Sequence, residues 1–99
     1  MSNMRDEDVL SCPVCGEDYL HHFGVEIFRR DCEDSKTGTR IAVFGESAPI
    51  MDGDVSKCPS PRRDGIKIAF WCEICTSYSV MLIYQHKGRT FKEWEEKSE

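Results

Sequence analysis

Two short stretches of this chain have the residue types and spacing of metal chemistry. They are "CPVCG", residues 12–16, and "WCEIC", residues 71–75. Cys-x-x-Cys supplies two thiolates from one tight turn, because the backbone folds back over an ion held between the sulfurs. Gly16 follows the first pair and permits the left-handed residue that aims amide N–H groups at sulfur. Thr76 follows the second pair, so that turn is expected to be less regular. Two such pairs are a strong signal for one four-thiolate site made by Cys12, Cys15, Cys72 and Cys75. Zinc is the default occupant, one ion per chain. Iron in a rubredoxin-like site is the alternative, since thiolates at this spacing bind both. Rubredoxin knuckles usually carry Gly after each pair, and here only one pair has it. Four thiolates close the coordination sphere, so the metal is expected to be structural and the chain not an enzyme.

The other candidates are weaker. Cys32 and Cys58 have no motif partner and read as free thiols in or beside loops. His21 and His22 in "YLHH" face opposite ways on a strand, so at most one turns toward the metal end. A metal-dependent nuclease would need a His as general base beside an acid such as Asp31 or Asp64, and no recognised motif supports it. "PSPRRDG", residues 59–65, offers Arg62 and Arg63, whose planar forks suit phosphate or carboxylate; the plainer reading pairs them with a local acid. "QHKGRTFKEW", residues 85–94, sets Lys87, Arg89 and Lys92 among His86, Phe91 and Trp94. Basic groups among aromatics can stack on bases or grip a protein surface, although an aromatic strand in a small domain is more often core. Arg62, Arg63, Lys87 and Arg89 are therefore the candidate partner-binding residues.

The elements that must position these groups read as strands. "GVEIFRR" (24–30) alternates until Phe28, where the pattern breaks. "RIAVF" (40–44) is β-branched, and "IKIAFWC" (66–72) puts Ile66, Ile68 and Phe70 on one face. "SYSVMLIYQH" (77–86) and "RTFKEW" (89–94) flank a short Gly-containing turn and should form a hairpin. Residues 33–40 and 45–65 read as loops rich in Gly, Pro, Ser and Asp. A loop as long as the second is usually functional or disordered. The final "EWEEKSE" could add a frayed helical turn. The expectation is a mainly β, small antiparallel zinc-ribbon domain with rubredoxin-like knuckles and long loops. It comprises a flexible acidic tail (1–10), one domain (11–95) and a frayed end (96–99). The 56 residues between the pairs exceed the about 15–20 of a compact ribbon, so the insert must form strands of its own.

Composition bounds the rest. Ninety-nine residues make one domain with a thin core, and six cysteines suit a chain that needs a staple. No apolar run reaches the ~18 residues of a membrane span, and the polar, acidic start is no secretory signal. A cytoplasmic location follows as the expectation, and there paired cysteines more often bind metal than form disulfides. Net charge is −5, and four thiolates on one divalent ion would take it to −7. That argues against a non-specific nucleic-acid binder and leaves room for local basic patches.

Taken together, "CPVCG…YLHH…VEIFRR…PSPRRDGIKIAFWCEIC…QHKGRTFKEW" resembles a group of small zinc-ribbon-like proteins of unassigned function encoded mostly by bacteriophages, prophages and other bacterial mobile elements. The resemblance runs from Cys12 to about Trp94 and is most specific in "RRDGIKIAFWCEIC" and "QHKGRTF". Cys58 departs from the pattern. The resemblance implies a metal-binding ribbon working in a bacterial host cytoplasm, and it supplies no activity. With the charge argument, the expectation is an interaction protein whose partner is a host protein rather than bare DNA or RNA. Direct nucleic-acid binding is the alternative. A rubredoxin-like redox role rests on site type alone, and zinc would remove it.

Overall fold

The computed structural model describes residues 9–95 and contains six strands. They are β1 (Leu20–Arg30), β2 (Gly38–Phe44), β3 (Ile50–Asp52), β4 (Gly65–Cys72), β5 (Tyr78–His86) and β6 (Arg89–Trp94). All pairings are antiparallel, in one open sheet of order β3-β2-β1-β4-β5-β6. The described residues contain no helix. The mainly β antiparallel expectation therefore holds. Most of the expected tail, residues 1–8, and the expected frayed end, 96–99, lie outside the described residues. Glu93 and Trp94, shared between the expected strand 89–94 and the possible helical turn after it, belong to the strand and close β6.

Each strand's two faces follow from the register. Glu26, Phe28 and Arg30 share one face with Ala42 and Arg40 of β2 and with Lys67 and Gly65 of β4. Val25, Ile27 and Arg29 share the other with Val43, Ile41, Ile68 and Ile66. Phe28 was expected to break the alternation. It does not, because both faces carry apolar groups at that point. Phe28 is fully buried on the first face, with Ala42 1% exposed.

Residues 53–64 cover that first face. Pro59 and Cys58 Sγ occupy the space that a Cβ on Gly65 would need, and Gly65 is the register partner of Phe28. Val55 and Ser60 from this segment are 2% and 1% exposed. The long loop expected over 45–65 is thus partly a strand, β3, which pairs through Ile41↔Met51, and partly a packed cover. "PIMD" escaped notice because three exposed residues beside Pro49 give no burial pattern to read.

Arg30 clamps the cover down. Its guanidinium donates to the carbonyls of Arg63 (3.0 Å), Ser35 (2.5 Å) and Ser60 (2.8 Å). Ser60 Oγ accepts from the Arg63 amide at 2.9 Å and donates to the Gln85 carbonyl at 3.0 Å. Half-buried loop carbonyls need partners, and one planar fork supplies three donors at once.

The β5–β6 hairpin forms as expected. Lys87 and Gly88 both take positive φ, 52° and 77°, the two-residue turn whose twist matches its flanking strands.

Candidate metal centre

The strands bring the two cysteine pairs together from opposite ends of the chain. Leu20 pairs with Cys72. Because β1 and β4 are antiparallel, the chain entering β1 and the chain leaving β4 emerge from the same end of the sheet. A bulge between His22 and Gly24 adjusts the register just before this end.

There the two pairs form near-identical knuckles. In the first, the Gly16 amide donates to the Cys12 carbonyl (2.9 Å) and the Cys12 amide to the Glu17 carbonyl (2.8 Å). In the second, the Thr76 amide donates to the Cys72 carbonyl (2.9 Å) and the Cys72 amide to the Ser77 carbonyl (3.1 Å). Gly16 has φ +82° and Thr76 has φ +57°. The second knuckle was expected to be less regular. It adopts the same turn, with a threonine held in the left-handed region, where a β-branched residue is strained. Across the site, the Glu73 amide donates to the Tyr19 carbonyl at 3.2 Å.

The four sulfurs of Cys12, Cys15, Cys72 and Cys75 lie within 4.8 Å of one another. Cys12 and Cys75 sulfurs are 3.7 Å apart, and those of Cys15 and Cys72 are 3.6 Å apart. A tetrahedron with Zn–S bonds of about 2.3 Å has edges of about 3.8 Å, so the cage suits a tetrahedral thiolate-bound ion. Cys72 and Cys12 are 0% and 3% exposed. The Val14 amide donates to Cys12 Sγ at 3.4 Å, and Ser77 Oγ lies 2.9 Å from Cys75 Sγ. Ser77 is a supporting group that the motif did not single out; a hydroxyl two residues after a ligand cysteine was the only signal.

The thiols are electrostatically split. The Cys15 amide, with further donors, holds the Cys12 thiol at about 6 against the desolvating effect of burial. The Ser77 hydroxyl and amide lower Cys75. The Glu17 amide acts to lower Cys15, but burial and the neighbouring sulfurs of Cys72, Cys75 and Cys12 outweigh it and push this thiol up to about 12. Sulfurs this close repel one another when ionised, and a dication removes that conflict.

Among the described residues no histidine joins the cluster. His21 packs against Trp71 at 5.9 Å and approaches Glu73 at 3.3 Å. Cys32 and Cys58 are free thiols; Cys58 donates to the Arg63 carbonyl at 3.3 Å, and burial raises its pKa.

The candidate partner-binding residues collect at the opposite end of the sheet. Arg62, Arg63 and Lys87 line one depression with Glu33, Gln85 and His86. Arg62 makes a two-pronged contact with Asp34, at 2.6 and 2.9 Å, and Arg63 reaches Glu33 at 2.9 Å. Lys87 and Arg89 form no ion pair with another described residue.

No protein-family model matches the chain, and neither a curated protein nor a solved structure matches it. No helix among the described residues is long and apolar enough to cross a membrane.

Proposed function

We propose that this is a zinc-binding interaction protein in which one ion, bound by four cysteines, is structural and the working surface lies elsewhere. The observation that carries the reading is the pair of matched knuckles holding four sulfurs within 4.8 Å. Four protein thiolates leave a tetrahedral ion no position for water or substrate, which favours scaffold over catalyst. Zinc is preferred to iron because it is the usual occupant of a structural four-thiolate site and only one of the two knuckles carries the glycine that rubredoxin knuckles usually have.

The partner we favour is a protein of the bacterial host cytoplasm, part of its transcription or nucleic-acid machinery, bound by a chain of phage or mobile-element type. Net charge supports this over direct nucleic-acid binding: −5 before any metal, with two of the candidate arginines already facing carboxylates. Lys87 and Arg89, which form no ion pair with another described residue, are the basic groups at the hairpin turn that would engage such a partner, with Arg62 and Arg63 beside them.

Tagged, zinc-loaded protein incubated with bacterial lysate tests the reading, run with and without nuclease. One stoichiometric host protein should survive nuclease and be lost from a Lys87→Glu/Arg89→Glu variant that keeps one metal per chain. Retention that nuclease abolishes would move the reading to direct nucleic-acid binding.

A further inference from the structure

A single sheet has two faces, and a stable domain normally covers both. Here the loop of residues 53–64 covers one. The other presents Val25, Ile27, Val43, Ile68 and Ile83 in adjacent rows, with no charge among them. Ile27 and Val43 are 38% and 43% exposed, and Met51 on the edge strand is 72% exposed. A mainly apolar trough of about 320 Å³ runs along this face between Ile27, Ile66 and Ile83, with Arg29, Asp64, Gln85 and Thr90 at its end away from the cysteines. Phe70, edge-on to Trp94 at 5.6 Å, lies on the same face toward the metal end.

We propose that this apolar face is the interface of a homodimer, in which two copies pack face to face as a β-sandwich. Three observations select a second copy over another occupant. The first is composition. Charged groups stand only toward the edges, as Arg29, Asp64 and Lys92, the one polar side chain among Phe70 and Met81 is the small, already buried Ser79, and a charge-free centre resembling a halved domain core is the mark of permanent homodimers. The second is extent. Six strands at ~4.8 Å spacing give a face of about 500 Å² in plan, approaching the ~800 Å² per partner of a standard interface once side-chain relief is counted. The third is shape. A copy of the same sheet carries the same twist, and equal twists stack with strands about 30° from alignment and sheets ~10 Å apart.

The test uses purified, metal-loaded protein alone, so it stands or falls independently of any host partner. Sedimentation equilibrium at micromolar concentration should give about twice the 11.4 kDa chain mass. In Ile27→Lys/Val43→Lys the new side chains can extend into water in the separated chain. This variant should weaken dimerisation at least 100-fold while keeping one metal per chain and the sheet's circular dichroism. Lys87→Glu, on the hairpin turn, should leave the dimer intact. Should the double-lysine variant fail to fold, isotope-filtered NOEs on mixed-labelled wild type decide: contacts between chains among the Val25, Ile27, Ile68 and Ile83 methyls are expected. A wild-type monomer at 100 µM, a dimer that survives both lysines, or a dimer without those methyl contacts would each overturn the proposal.

Discussion

Four cysteines carry the chemistry, but their neighbours set its terms. Thr76 sits at φ +57° with an exposed side chain, in the place that Gly16 takes in the other knuckle. A left-handed non-glycine residue costs roughly 1–2 kcal/mol, partly offset by the lower entropy of unfolded threonine. Thr76→Gly should therefore stabilise the metal-bound protein by about 1 kcal/mol in denaturant titration, and Gly16→Thr should destabilise it by a similar amount. The split thiols predict a pH dependence. At neutral pH Cys12, held at about 6, is already a thiolate, whereas an ion must displace the proton of Cys15, raised to about 12. Metal affinity should rise with pH throughout. Its slope should steepen as pH falls below about 6, where Cys12 must lose a proton as well. Competition with a chromophoric chelator from pH 5 to 8 measures this, and a flat profile would refute thiolate ligation.

At the scale of elements, one side chain joins a loop to a sheet. Arg30 ends β1 and holds three loop carbonyls, while its own amide donates to Asp64 Oδ1 at 2.8 Å. Hydrogen bonds from a charged donor are worth about 1.5–3 kcal/mol each and are not additive. Arg30→Ala should destabilise the fold by about 3 kcal/mol; Arg30→Lys should cost somewhat less because it keeps a charged donor, although an ammonium cannot span three carbonyls in one plane. Hydrogen exchange should show the loss first in residues 53–64. The "RR" at 29–30 carries no motif of its own and reads only as the end of a strand. Its second arginine was unreadable as a clamp, because its partners are main-chain carbonyls up to 33 positions away. The same distance hid Ser60. The outer pair, Arg62 and Arg63, was legible as either anion-binding or ion-paired, and the carboxylates of Asp34 and Glu33 meet them from another loop.

At the scale of the molecule, only eight apolar residues are buried among those described, and two of those are metal-site cysteines. Structural zinc contributes about 10–16 kcal/mol in small metal-folded peptides, comparable to the ~5–15 kcal/mol net stability of an ordinary domain. Strong chelation should consequently unfold the chain, with loss of the β-sheet circular dichroism signal, and added zinc should restore it. A melting temperature unchanged by complete metal removal would show that the metal is not what holds the knuckles. Cys75→Ser should behave like the chelated protein.

Local rules were enough for several features. Alternation placed β1, β4 and β6, and β-branched or aromatic composition placed β2 and β5, because each signal is a property of one segment. Cys-x-x-Cys spacing placed both knuckles, because two ligands three positions apart are a property of one turn. The hairpin turn at Lys87–Gly88 was readable for the same reason. What the sequence could not determine are the relations between distant segments. The third strand exists because β2 offers it an edge, not because "IMD" has any pattern. Thr76 takes a conformation its own chemistry disfavours, because four sulfurs must converge. Which apolar face the loop would cover, and which it would leave open, depended on where the guanidinium of Arg30 met the carbonyls of Ser35, Ser60 and Arg63. Periodicity reports that a residue has a side; only the packed chain decides what stands on that side.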